Sequence, residues 1–161
     1  SATFAYYRVG GTQTYLQEIE RVVFTDKTIA LDITGNAGQT YRLYQAAFDR
    51  TPDVGGLTHN TREMDRGIPL KEMAGRFIAS AEFGTLYGAN PTNEAFMTAL
   101  YRNVLDRAPD TGGLAYWNGV LYSGGDRADV LVGFSESPEN VTLVGTTIAR
   151  GITLDSGILY G

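Results

Sequence analysis

Two nine-residue stretches concentrate the side chains that could do chemistry. Asp49-Arg50-Thr51-Pro52-Asp53-Val54-Gly55-Gly56-Leu57 and, 57 residues on, Asp106-Arg107-Ala108-Pro109-Asp110-Thr111-Gly112-Gly113-Leu114 each carry two carboxylates, one guanidinium and a glycine pair. A calcium site built on Asp49 with Asp53, or on Asp106 with Asp110, would need six to eight oxygen ligands. Each stretch offers two carboxylates beside an arginine whose charge opposes the ion. Glycoside hydrolysis would need two facing carboxyl groups, but helix capping accounts for these acids. The residue types suit a corner between two helices better. Proline ends the first helix, and the second aspartate accepts from the free amides that open the next. The arginine pairs with an aspartate or bonds the last carbonyls, and the glycines allow the helix backbones to approach. On this reading Asp49, Arg50, Asp53, Gly56, Asp106, Arg107, Asp110 and Gly113 are structural.

A different calcium candidate combines Asp26, Asp32, Thr34 and Asn36, oxygen-bearing residues around a strand-to-helix junction. The set lacks a well-placed bidentate acid, and turn and cap chemistry explains it equally well. Ca²⁺ is the one cofactor the sequence admits. His59 is the only histidine and there is no cysteine, which excludes a disulfide scaffold, thiol catalysis and Cys-ligated metal. Neither a nucleophile elbow nor a phosphate loop is present, so no enzymatic activity is expected. Tyr116, Trp117 and Tyr122 form the aromatic cluster that could stack on a sugar, although Trp117, three residues after Leu114, also fits a core position. Tyr6, Tyr7 and Tyr15 are further contact candidates.

The 161 residues are 43% apolar and carry a net charge of −5, which disfavours nucleic acid, whose affinity rests on basic side chains neutralising phosphates. No run of 18 apolar residues is available to span a membrane. Ser1-Ala2-Thr3 reads as an internal start, as if the chain were cut from a longer protein.

Periodicity places these residues on elements. Residues 1–35 read as β, with a hairpin around Thr25-Asp26-Lys27-Thr28 and an inward face of Ile29, Leu31 and Ile33. Helices follow, the first capped by Thr34 or Asn36 and the fifth opened by Asn90-Pro91. Asp126 with Asp129 reads as a capping box, and Ser137-Pro138 as another helix start. From Val141 the Thr, Val and Ile content reads as one or two strands that pack on the N-terminal segment. Residues 43–83 slide onto 100–140 without a gap, with thirteen identities in 41 positions, among them Tyr44/Tyr101, Phe77/Phe134, Ser80/Ser137 and Glu82/Glu139. The expected fold is therefore mainly α. Two tandem helical repeats of about four helices each pack with pseudo-two-fold symmetry. A small β segment from the N- and C-terminal stretches flanks them. The expected division is 1–35 β segment, 36–140 helical domain and 141–161 β or irregular tail.

The runs Asn36 to Asp53, Leu100 to Arg107, Gly113 to Trp117 and Gly133 to Asn140 resemble the DUF4214 domain. The resemblance covers about residues 36–140, and the β-rich Ile19 to Asp32 looks like the segment leading into such domains in large RTX-type secreted proteins. The helical unit is also similar to the repeat of phycobilisome linker domains, which are scaffolds. One departure stands out: His59-Asn60 replaces the aromatic pair that the family favours and that Tyr116-Trp117 supplies. The resemblance implies an extracellular bacterial context of RTX-type adhesins and S-layer-like surface proteins, and it brings no catalytic residues. It implies a non-enzymatic module for adhesion, surface assembly or anchoring. Its partner would be a neighbouring surface-protein subunit or a cell-surface glycan, the latter recognised with or without help from calcium.

Overall fold

Eight helices, all between Asn36 and Ile148, dominate the described residues of the computed structural model, which cover 4–9, 12–17 and 19–156. They are α1 (Asn36–Phe48), α2 (Val54–Asp65), α3 (Leu70–Ile78), α4 (Ala81–Tyr87), α5 (Asn93–Leu105), α6 (Thr111–Tyr122), α7 (Arg127–Ser135) and α8 (Pro138–Ile148). The 57-residue offset holds for every start: Asn36 to Asn93, Val54 to Thr111, Leu70 to Arg127 and Ala81 to Pro138. The first three pairs also end 57 residues apart, whereas α8 has 11 residues against the 7 of α4. Side-chain caps set most of these starts. Asp53, Ser80, Thr92, Asp110, Asp126 and Ser137 each accept from an amide of the first turn, and Asp126 with Asp129 completes a capping box.

The strands are β1 (Phe4–Val9), β2 (Thr12–Gln17), β3 (Arg21–Val23), β4 (Lys27–Ala30) and β5 (Ile152–Asp155). β1 and β2 form an antiparallel pair, while β3, β4 and β5 form an antiparallel sheet in that order. In its register Val22 faces Ile29, which faces Thr153. The sheet thus joins a segment before the helices to one after them, and β5 lies on α2. Side chains from both helical units share one core, with Leu43 and Met73 from the first and Phe96, Met97, Leu100, Leu131 and Phe134 from the second all fully buried.

The structure corrects four local expectations. Residues 141–148 continue helix α8 rather than forming a strand; only 152–155 are extended. Ser137 and Pro138 start that helix and Val144 and Ile148, four apart, bury on one face, so helical packing overrides the β preference of its Thr and Val residues. Within β4 the fully buried side chains are Thr28 and Ala30, and Ile29 is half-buried over Gly151; Leu31 and Ile33, beyond the strand, do turn inward as expected. Neither Thr34 nor Asn36 caps α1: Gly35 is the N-cap, and Asp32 accepts from the Ala37 amide at 3.0 Å. Thr92, not Asn90, caps α5, since only its hydroxyl lies at hydrogen-bonding distance from the Ala95 amide.

Candidate functional site

Both corner motifs fold alike. Asp49 and Asp106 each end a helix in the left-handed region, with φ of 49° in both. Asp and Asn tolerate that conformation better than most residues. It turns the chain three residues ahead of Pro52 and Pro109, so the proline follows the stop rather than forcing it. The Asp53 carboxylate then accepts from Gly56 N at 2.7 Å, and Asp110 from Gly113 N at 2.8 Å. Arg50 and Arg107 reach past their own motifs. Arg50 donates from Nε and Nη2 to both carboxylate oxygens of Glu82 at 2.6 and 3.1 Å. Arg107 holds Glu139 in the same way at 3.0 and 3.1 Å. Each guanidinium also lies over a tyrosine ring, Tyr44 or Tyr101, an attraction worth about 0.5–1 kcal/mol at exposed sites. That tyrosine packs edge-on against Phe77 or Phe134.

The second glycine of each pair approaches a side chain, not the neighbouring helix backbone. A Cβ on Gly56 would lie 2.6 Å from the Tyr44 hydroxyl, and one on Gly113 would lie 1.8 Å from that of Tyr101. Charge reinforces the caps. The Arg50 hydrogen bond holds the Glu82 carboxyl below its ordinary range. The Gly113 amide, seconded by Arg107, does the same for Asp110. Every acid of the motif except Asp49 and Asp106 has a capping or pairing partner. Those two line a cleft of about 340 Å³ with Gln45, Thr51, Asn103 and Thr147, in which the C-terminal ends of α1 and α5 meet. The sequence showed these two aspartates as motif members but carried no sign that they share a cleft.

The calcium quartet does not assemble. Asp26 precedes β4 and Asp32 follows it, so the strand separates them by at least about 10 Å, far beyond a shared coordination shell. Asp32 is paired with Arg21 and holds the Ala37 amide; Asn36 donates to Asp65 at 2.9 Å; Thr34 is exposed. Among the described residues no group of three or more His, Cys, Asp or Glu could hold a metal ion.

The aromatic trio divides. Trp117 is half-buried, stacked on Phe134 at 5.1 Å, and its indole lies over Gly133, where a Cβ would come within 2.1 Å of it. Tyr116 is 64% exposed and rests edge-on against Trp117 at 4.8 Å. Tyr122 is 91% exposed and sits six residues beyond Tyr116, about 240° around the helix. The three rings therefore do not make one platform. His59 is exposed on α2. The side chains of Tyr6, Tyr7 and Tyr15 lie outside the described residues.

The sequence marked where α2 and α6 differ, at His59-Asn60 against Tyr116-Trp117, but not which of the two helices is covered. On α2, Thr58 and Thr61 are buried, Asp155 N donates to Thr58 Oγ1 at 2.9 Å, and Asp65 pairs with Arg21. The same stripe on α6 is Ala115, Asn118 and Tyr122. Among the described helices only α6 has no fully buried residue; its Leu114, Trp117, Val120 and Leu121 pack against the core but stay partly exposed. β5 covers the first helix and leaves the second open. Residues 74–144 match the family model of DUF4214, a domain of unknown function. The DUF4214 match runs from within α3 into α8 and contains the second corner, α6 and Glu139. No curated protein matches the chain, and no solved structure does. No helix among the described residues is long and apolar enough to cross a membrane.

Proposed function

We propose that the chain is a non-enzymatic extracellular module of a bacterial secreted or surface protein of RTX or S-layer type, acting in adhesion, surface assembly or anchoring through the open face of α6. The observation that carries this reading is the difference between equivalent helices. α2 fully buries Leu57, Thr58, Thr61 and Met64, whereas α6 only half-buries its inward Leu114, Trp117, Val120 and Leu121 and leaves Tyr116 and Tyr122 in solvent. Ordered apolar surface of this kind marks contact sites, and tyrosine is well suited to them, having an apolar body and a polar tip. The two helical units pack with pseudo-two-fold symmetry on this proposal. Support comes from the shared helix starts, the paired Arg–Glu clamps and the packing of α3 on α7 and α1 on α5.

The test is binding of the chain to the isolated surface-protein fraction of the bacterium that encodes it. Saturable binding that falls at least tenfold in a Tyr116→Ala/Tyr122→Ala variant of unchanged melting temperature is expected. No saturable binding would sink the proposal.

A second reading, recognition of a cell-surface polysaccharide with or without calcium, draws on one observation: the exposed ring of Tyr116 is braced edge-on by Trp117. A glycan array run with and without millimolar Ca²⁺ separates the two readings. Hits abolished by Tyr116→Ala favour the glycan, and a blank array rejects it.

A further inference from the structure

β3 and β5 are each antiparallel to β4 and therefore parallel to one another, with β4 bonded to both. The chain comes in along β3 and leaves along β5 in the same direction. All eight helices lie between β4 and β5 in sequence. The incoming end is held at three places: Leu31 N donates to Glu20 O at 2.8 Å, and Arg21 pairs with Asp32 and with Asp65. The outgoing end is held by the bond from Asp155 N to Thr58 Oγ1. Asp65 and Thr58 lie on one helix, seven residues or about 10 Å apart. The level of Arg21, which faces Ala30 and through it Ile152, lies three residues or about 10 Å before Asp155. The two spans agree, so the points where the chain enters and leaves the sheet are braced against α2, at its C-terminal Asp65 and, two turns earlier, at Thr58.

We propose that this sheet is a tension clamp. Pulling on the chain before β3 and after β5 drags the two outer strands in opposite directions along their length. Ladder hydrogen bonds run across the strands, so both ladders are loaded in shear, one after the other along the force path, and within each the bonds must fail together rather than one at a time. The path of force is β3 to β4 to β5, braced by α2. The remaining helices hang beside it and carry no load until the sheet parts. This goes beyond the surface role proposed above and stands whether or not that role holds. For a surface module it would keep α6 folded while the chain is under tension.

Single-molecule pulling on the whole chain tests it, and the absence of native cysteine allows handles at chosen points. With Glu20→Cys and Ser156→Cys, one event should release the chain between Arg21 and Asp155 in a single step of roughly 450 Å. Its force should be at least twice that measured with exposed handles on the helices, at Glu94→Cys and Thr146→Cys. Thr58→Val, which keeps the side-chain shape but removes the acceptor for Asp155, should lower the force in the first geometry and leave the second unchanged. Equal forces in the two geometries, or helices released in small steps before the sheet gives way, would overturn the clamp. A Thr58→Val effect equal in both geometries would overturn the bracing by α2.

Discussion

Arg107 holds Glu139, thirty-two residues further on, through two parallel hydrogen bonds, and Arg50 holds Glu82 across the same separation. Each pair joins the corner between two helices to the first turn of the fourth helix in its unit. Ser80 and Ser137, which cap those fourth helices, are repeated as well. The motif is therefore one end of a longer brace that ties together its helical unit.

The close approach of Tyr101 to Gly113 gives the sharpest mutational expectation. Gly113→Ala should destabilise by about 1–3 kcal/mol, as overpacking does, because the new Cβ would meet the hydroxyl at 1.8 Å. Gly112→Ala, whose nearest neighbour would be Asp110 Oδ1 at 3.3 Å, should stay within about 0.5 kcal/mol. Adding Tyr101→Phe to Gly113→Ala should recover part of the loss. Urea denaturation measures all three.

Acid should weaken the braces. Glu82 is held below its ordinary range by Arg50, Asp129 by Lys71, and Asp110 by the Gly113 amide. For a carboxylate depressed in the folded state, the stabilisation is present above the unfolded value, near pH 4, and is lost as pH falls through the folded one. The melting temperature should fall below about pH 4.5, and Arg50→Ala with Lys71→Ala should flatten that fall while lowering stability at neutral pH. A parallel acid limb in the double variant would contradict it.

Alkali acts at Tyr87. Burial pushes its phenol from 10.0 up to about 12, and the hydroxyl donates to Ala46 O at 3.1 Å. The neutral form is favoured in the folded state, so this contribution is intact below pH 10 and is lost as pH rises from 10 towards 12. Stability followed by circular dichroism should decline over that window, and Tyr87→Phe should show a shallower decline.

Trp117 and Tyr122 should separate packing from contact. Trp117→Ala removes the ring stacked on Phe134 and should cost about 3 kcal/mol. Tyr122→Ala, at a position 91% exposed, should change stability by no more than about 0.5 kcal/mol. Thermal melts of the two variants decide this, and a large loss for Tyr122→Ala would mean that it packs rather than presents.

The corners were readable because capping is local chemistry: Asp53, Asp110, Asp126 and Ser137 sit three residues from the amides they accept, or nearer. The 57-residue repeat was readable for the same reason, since equivalent local signals recur. What failed was tertiary. Val144 and Ile148 drew a Thr- and Val-rich stretch into a helix, and within β4 Thr28 and Ala30 took the buried positions in place of Ile29. Glu82 and Glu139 were visible as identities, but only the fold puts them on Arg50 and Arg107. The swap of His59-Asn60 for Tyr116-Trp117 was visible in the sequence, but which helix is covered is set by β5, nearly a hundred residues from Thr58.

The proposed contact face is α6. Hydrogen exchange of the chain, free and with the surface-protein fraction of the source organism added, tests that most directly. Added protection should centre on the amides of Thr111–Tyr122 and disappear in the Tyr116→Ala/Tyr122→Ala variant. Protection confined to other elements, or unchanged in the variant, would contradict it.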